Sequence, residues 1–321
     1  MRVMAIAGVL FWAGQSLALG QEERIRLTDS TELVFASQEE GRELIAAEDD
    51  FLKRVQGLER QLRLSSKEPV SQEEYVKQLQ NGVLEWTQED REKMADAVAE
   101  VAKAFEAYQL PFPAEVYLTR VSREVEQNAP HCRGANVICP DSLLSGRRLA
   151  NVMAHELFHV LSNQNAELRH RMYEVIGFKK CNEIELPESL MKRRLTNPDA
   201  SKYEHFVELE HDGKKIMATP FIQSRKPEYA PGGLFGNMDL KLLVLEKSAE
   251  EVVVKLGNDG PVMLEISAVP DYFKKIGNNT GYIIHPEETL ADNFVLLMLN
   301  PAGAKDPWVV EELGKVLKEK D

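Results

Sequence analysis

The segment from Leu149 to Leu161 constrains the fold most strongly, because its apolar residues point to nearly every side of a helix. They are Leu149, Val152, Met153, Leu157, Phe158 and Val160. A helix that is apolar all round crosses a hydrophobic core, so this segment is predicted to be a central helix. The same segment contains His155, Glu156 and His159, which form the pattern H-E-x-x-H.

This pattern predicts a zinc (Zn²⁺) site with hydrolytic chemistry. Residues four apart share one helix face, so the imidazoles of His155 and His159 can reach one ion. Zinc lowers the pKa of a bound water to roughly neutral, which makes a nucleophile available. Glu156 is placed to take a proton from that water rather than to bind the metal. The alternative interpretation is two ordinary core histidines on a buried helix.

A catalytic zinc site needs a third protein ligand and an open position for water. The metzincin pattern requires Gly and His where this chain has Ser162 and Asn165. Thermolysin-like and related aminopeptidase spacings require a glutamate where the chain has Lys179 or Phe178. The third ligand is therefore expected farther along the chain.

A second apolar helix, predicted from Pro286 to Leu299, contains Glu288 and Asp292 in the pattern E-x-x-x-D. Together with the H-E-x-x-H helix, this arrangement resembles the gluzincin clan of zincin metallopeptidases. The resemblance implies Glu288 as the third zinc ligand and Asp292 as a hydrogen-bond partner that orients His155. Alternative third ligands are His285, His205, His211 and Glu174. A second E-x-x-x-D, Glu208 to Asp212, lies in strand-and-turn sequence, where such residues do not share a face.

Two further residues are candidates for catalysis. Tyr282 and His285 precede the proposed ligand helix, and either can stabilise the oxyanion formed in amide hydrolysis. The alternative interpretations are that Tyr282 is an ordinary core tyrosine and that His285 is an ordinary loop histidine. Zincin peptidases also commonly present an edge strand before the zinc helix, to which the substrate backbone pairs. Residues 134–140 occupy that position.

The positions of the cysteines constrain whether residues 134–140 form an extended strand. If residues 133–139 are extended, Cys132 and Cys139 lie about 23 Å apart and cannot form a disulfide. A turn at Gly134 would bring them close enough, and Cys181 can pair with either. The strand and this disulfide are therefore alternatives.

The N-terminal residues predict export. Arg2 precedes an apolar run from Val3 to Ala13, and small residues follow at Ala18 and Gly20. This pattern is typical of a secretory signal, here residues 1–20. The run is shorter than the roughly 20 residues of a membrane span, although an N-terminal anchor is the alternative. We expect a periplasmic or extracellular protein without stable membrane insertion. The formal charge of -13 disfavours nucleic acid as a partner.

The remaining patterns predict an α+β, zincin-like fold with a small mixed sheet and an active-site helix. Residues 21–321 are expected to form one domain in two lobes, about 21–165 with the H-E-x-x-H helix and about 166–321 with Glu288. Helices are predicted at 39–63, 87–108, 149–161, 167–176, 286–299 and 308–318. Strands are predicted at 115–120, 135–139, 242–245, 252–254 and 262–266, with a hairpin over 203–218 that turns at Asp212-Gly213.

The sequence thus predicts an exported zinc metallopeptidase that hydrolyses peptide or protein substrates by zinc-activated water, with Glu156 as general base. One alternative is a zinc-binding scaffold of the same fold without turnover. Another is a hydrolase of non-peptide amides, such as a deformylase or amidase. Glu156 argues against the scaffold, because a structural zinc site has no need of that carboxylate.

Overall fold

A computed structural model describes residues 23–145 and 148–319. The chain is a mixed α+β protein, as predicted. The predicted signal, residues 1–20, lies outside the described residues. None of the described helices is both long and apolar enough to cross a bilayer.

The first sheet precedes the central helix in the chain. Its strands are β1 (Arg24–Arg26), β2 (Glu32–Phe35), β3 (Glu115–Val121), β4 (His131–Arg133) and β5 (Asn136–Pro140). The strand order is β1-β2-β3-β5-β4, with β2, β3 and β5 parallel and the two outer strands antiparallel to their neighbours. The sheet is therefore mixed, as expected.

The second sheet is antiparallel. It contains β6 (Phe178–Lys180), β7 (His205–His211), β8 (Lys214–Ser224), β9 (Met238–Ser248) and β10 (Glu251–Val254), with β13 (Met263–Glu265) also on β9. A separate ribbon joins β11 (Leu256–Gly257) and β12 (Gly260–Pro261). Asp212 and Gly213 join β7 to β8 with φ of 49° and 72°, as a two-residue hairpin turn of this kind requires. The predicted hairpin is confirmed.

The described residues also form twelve α-helices. They are α1 (Gln38–Ala46), α2 (Asp50–Arg54), α3 (Gly57–Arg63), α4 (Gln72–Asn81), α5 (Gln88–Phe105), α6 (Leu149–Gln164), α7 (Ala166–Val175), α8 (Glu188–Met191), α9 (Gly233–Asn237), α10 (Pro270–Ile276), α11 (Pro286–Leu299) and α12 (Pro307–Val316). Thr87 caps α5 by accepting a hydrogen bond from the Asp90 amide at 3.1 Å. The predicted helices at 149–161, 286–299 and 308–318 are confirmed with small shifts at their ends.

The single helix predicted over residues 39–63 is wrong, because the segment forms α1, α2 and α3. Asp49 starts α2 by accepting the Leu52 amide at 2.8 Å, which ends the first helical run before it. Helix α4 was not predicted, although Ser71 and Glu74 form a complete capping box at its start.

The strand predicted at residues 135–139 is confirmed as β5, but its predicted position at the edge of the sheet is wrong. Strand β5 lies between β3 and β4, so the edge of the sheet is β4. Gly134 turns the chain between these strands with φ of 63°, as the alternative interpretation required. The three cysteines nevertheless remain free thiols. Cys132 faces Val137 across the hairpin rather than Cys139, so the turn does not place the two cysteines opposite each other.

The largest apolar core contains α6. Leu157, Phe158 and Leu161 of this helix are fully buried in one cluster with residues of α5, α7, α11 and α12. Phe158 packs against Phe294 of α11 with ring centroids 5.4 Å apart. Because this cluster includes residues from both predicted lobes, α6 and α11 are held together by shared core packing. The division into two lobes stays a prediction.

Candidate metal centre

The side chains of α6 and α11 converge at one polar cluster. The Glu288 Oε2 atom lies 3.2 Å from His155 Nε2 and 3.5 Å from His159 Nε2. The three ligand atoms all lie within 4.8 Å of one another. His159 and Glu288 are each 1% exposed, so the cluster is shielded from solvent on their side. The structure thus brings together the three residues that the sequence predicted as metal ligands.

A carboxylate lies beside the Nδ1 atom of each histidine ring. His155 Nδ1 lies 3.0 Å from Asp292 Oδ1, and the Thr280 hydroxyl donates to the other oxygen of Asp292. His159 Nδ1 lies 2.9 Å from Glu287 Oε1. The contact between Asp292 and His155 was predicted, whereas Glu287 was missed. The only sequence signal for Glu287 is its place beside Glu288.

Glu287 is itself held in place by two hydroxyl groups. Ser162 Oγ donates to Glu287 Oε2 at 2.7 Å, and the Tyr173 hydroxyl donates to the same oxygen. Glu287 is fully buried. These bonds orient the carboxylate, which in turn sets the ring of His159 so that its Nε2 atom faces Glu288.

The Nε2 atom of His159 is buried and makes no hydrogen bond. The buried side of this ring faces Glu288 Oε2 at 3.5 Å and Asp199 Oδ1 at 4.0 Å. Buried polar atoms without a hydrogen-bond partner are uncommon in proteins, and a site for a metal ion is one recognised reason for them. The orphaned nitrogen therefore points into the space that a metal would use.

A second group of buried side chains adjoins the first. Cys132, Glu156 and Asp199 offer ligand atoms within 4.8 Å of one another. The Cys132 thiol lies 3.5 Å from Glu156 Oε2, and the Cys132 amide donates to Asp199 Oδ1 at 2.6 Å. Glu156 is 2% exposed. Sequence reasoning did not find Cys132 or Asp199, because each is far along the chain from the histidines.

The loop from Leu195 to Asp199 borders the cluster. Asn197 Nδ2 donates to Glu288 Oε1 at 2.6 Å, which fixes the carboxylate oxygen that faces away from the histidines. Behind the loop, Glu59 accepts the amide and the hydroxyl of Thr196 at 2.7 and 2.9 Å. The loop is thus tied both to the cluster and to helix α3.

Charges in the cluster compensate one another. Burial lowers the pKa of His155, but hydrogen bonds with Asp292 and Glu288 outweigh it and raise this pKa to about 10. Burial also opposes the charged form of His159, yet the charges of Asp199 and Glu288 raise its pKa well above the ordinary value. In the metal-free chain, protons on the two imidazoles thus offset part of the negative charge of the neighbouring carboxylates. A divalent cation can take the place of those protons, and its binding would release them.

Tyr282 and His285 lie in different surroundings. Tyr282 is 39% exposed, and its ring lies 6.2 Å from the ring of His155, at the side where the cluster approaches solvent. His285 is buried at the start of α11, where its Nδ1 atom accepts the Glu287 amide at 3.1 Å. Burial lowers the pKa of His285 to about 4, so its ring is neutral. Its observed contact is that of a helix cap.

The alternative third ligands make other contacts. His205 Nε2 lies 2.8 Å from His170 Nδ1, and His211 lies 3.6 Å from Asp212. Glu174 is exposed on α7. Glu208, from the second E-x-x-x-D pattern, pairs with Lys179 on the surface of the second sheet. Among the described residues, Glu288 is the one of these candidates that contacts both histidines.

Comparison with protein-family models, curated proteins and solved structures finds no match for this chain.

Proposed function

We propose that this protein is a zinc-dependent hydrolase of zincin-like fold that cleaves peptide bonds. The observation that carries the proposal is the convergence of His155, His159 and Glu288. Bonds of 2.0 to 2.1 Å to a tetrahedral zinc put neighbouring ligand atoms about 3.3 Å apart. The distances of 3.2 and 3.5 Å from Glu288 to the two imidazole nitrogens agree with that spacing.

The partners of these ligands also suit zinc. Histidines that bind zinc usually donate their second ring N–H to a carboxylate, which fixes the tautomer and raises the basicity of the ligand. Asp292 and Glu287 stand in that relation to His155 and His159. An isolated pair of core histidines needs neither carboxylate, and it explains neither the orphaned His159 Nε2 nor the buried Glu288.

The proposed reaction is hydrolysis of an amide. Bound zinc would supply a Lewis acid that lowers the pKa of a coordinated water and polarises the carbonyl. Glu156 would take the proton of the attacking water and deliver it to the leaving amine. Tyr282, on the solvent side of His155, is the proposed donor to the carbonyl oxygen. We assign His285 to fixing the start of α11, because its Nδ1 atom already accepts a backbone hydrogen bond.

Zinc content tests this proposal directly. Purified chain without residues 1–20 should hold about one zinc per molecule by elemental analysis, and Glu288→Ala should hold much less, because one of three ligands is removed. The matched control is Glu311→Ala, which removes an exposed glutamate on α12. Wild-type protein without zinc would contradict the proposal. Full zinc retention in Glu288→Ala would show that another residue is the third ligand.

Substrate class needs a second measurement. Zinc-loaded protein should cleave members of a peptide library and leave N-formyl peptides and small amides unchanged. If the protein instead cleaves N-formyl peptides or small amides and leaves the peptide library unchanged, it is a zinc-dependent amide hydrolase rather than a peptidase. Export is a separate part of the proposal, and it depends on residues 1–20.

Glu287 supplies a further prediction. Glu287→Gln should lower zinc affinity by about 10- to 100-fold, because loss of a carboxylate partner weakens the imidazole ligand. Zinc affinity can be measured by competition with a chromophoric chelator. Glu311→Gln, an exposed change of the same type, should leave the affinity unchanged. An unaltered affinity in Glu287→Gln would contradict a role for this contact in metal binding.

A further inference from the structure

We propose that Asp199 is a fourth protein ligand of the metal and closes the site until a substrate or inhibitor displaces it. This inference rests on the proposed zinc site and describes the ligands of the metal when no substrate is bound. A zinc site with four protein ligands has no open position for water, whereas a catalytic site must have one. The proposal therefore describes an enzyme whose own carboxylate competes with its substrate.

The first argument is position. Asp199 is buried, and its Oδ1 atom lies 4.0 Å from His159 Nε2, the buried nitrogen without a hydrogen-bond partner. Glu288 Oε2 approaches the same nitrogen at 3.5 Å. Both carboxylate oxygens thus approach His159 Nε2, although Asp199 belongs to the adjoining group with Cys132 and Glu156. The Asp199 side chain would move from this position toward His155 and Glu288 to complete a four-ligand set.

The second argument is how Asp199 is held. Its amide donates to Asn197 Oδ1 at 3.1 Å, and its carbonyl accepts Asn163 Nδ2 at 3.2 Å. Asn197 in turn donates to the proposed ligand Glu288. Thr196 is anchored to the buried Glu59. The backbone on both sides of the carboxylate is therefore fixed relative to the metal cluster, as a preorganised ligand requires.

The third argument is that Asp199 accepts the backbone hydrogen bond that a bound peptide substrate would accept. Strand β4 is the edge of the first sheet, and the amide of Cys132 in that strand donates to Asp199 Oδ1 at 2.6 Å. A peptide that added to this edge would use the same amide for one of its own carbonyl oxygens. Asp199 Oδ1 thus makes the edge contact of a substrate carbonyl and approaches the metal cluster as well. Substrate and Asp199 cannot occupy this position together.

The test compares wild type with Asp199→Asn and Asp199→Ala. Asparagine keeps an oxygen that can accept the Cys132 amide, so this variant guards against a simple folding defect. The control is Asp271→Asn, which removes a carboxylate on α10 that also accepts a backbone amide, that of Glu210 at 2.9 Å. Zinc affinity is measured by chelator competition. Affinity of the zinc-loaded protein for acetohydroxamate, a small metal-binding probe, is measured by calorimetry.

The two affinities should change in opposite directions. Zinc affinity should fall by at least about 10-fold in both Asp199 variants, because a ligand is lost. Acetohydroxamate affinity should rise at least about 10-fold, because the probe no longer competes with a carboxylate that occupies the site in most molecules. Asp271→Asn should change neither affinity.

Other outcomes overturn the inference in distinguishable ways. If wild type binds zinc and Asp199→Asn matches it in both affinities, Asp199 is not a ligand, and the proposed function is unaffected. If both affinities fall together, Asp199 has only a structural role. If wild type binds no zinc, the proposed function itself fails.

Discussion

Glu156→Gln is expected to lower peptide hydrolysis by about 10²- to 10⁴-fold, the usual contribution of a general acid or base. Glutamine has nearly the same size as glutamate but cannot accept the proton of the attacking water. Because Glu156 lies beside the histidines without being one of the three convergent ligands, zinc content should stay near the wild-type value. Hydrolysis is measured on the best peptide from the library, and zinc by elemental analysis of the same sample.

Two comparisons make this result specific. Glu167→Gln, an exposed change on the next helix, should leave both hydrolysis and zinc content unchanged. Glu288→Ala should lose both peptide hydrolysis and bound zinc, because it removes a metal ligand. Wild-type rates in zinc-loaded Glu156→Gln would eliminate this residue as the base. Loss of zinc in that variant would instead indicate that Glu156 binds the metal.

Arg63→Met is expected to destabilise the folded protein by about 3 to 5 kcal/mol, because it leaves two buried carboxylates without their cation. Arg63 is 3% exposed and bonds Glu59 through Nε at 3.0 Å, and its other nitrogens reach Glu126 and the carbonyl of Thr196. Burial raises the pKa of Glu126, but the charge of Arg63 outweighs it and holds this pKa below its usual value. The free energy of unfolding can be measured by urea denaturation.

The matching experiment restores charge balance. Combining Arg63→Met with Glu59→Gln and Glu126→Gln removes the uncompensated charges, so the triple variant should be more stable than Arg63→Met alone. Lys93→Ala, which breaks an exposed ion pair with Glu89, should remain close to wild type. If Arg63→Met behaves like Lys93→Ala, the buried network contributes little.

This network also reaches the metal cluster. Glu59 bonds both Arg63 and Thr196, and Thr196 lies beside Asn197, which bonds Glu288. A buried ion pair therefore supports the loop that borders the proposed active site. Its stability and the geometry of the site are linked through one short stretch of chain.

Local features were readable from the sequence. The apolar pattern of α6, the cap at Thr87 and the Asp212-Gly213 turn each depend on residues only a few positions apart. The spacing of His155 and His159 likewise follows from the helix repeat alone. Such patterns failed where a second local signal competed, as when the cap at Asp49 divided the helix predicted over 39–63.

Contacts between distant segments had to come from the tertiary structure. Glu288 is 133 residues from His155, and its proposed role came from a resemblance rather than from spacing. The core packing of Phe158 against Phe294 aligns α6 with α11, and this alignment also brings Glu287 to His159. Nothing in the local sequence encodes such an alignment.

The sequence by itself determined that a buried helix presents two imidazoles and a carboxylate of the kind that zinc hydrolases use, because helix geometry relates residues four apart. Only the tertiary structure decided that Asp199, Cys132 and Asn197 border the same cluster, and that β4 rather than β5 forms the sheet edge. The physical reason is that side chains far apart in the chain meet according to how whole elements pack, and packing depends on the entire core.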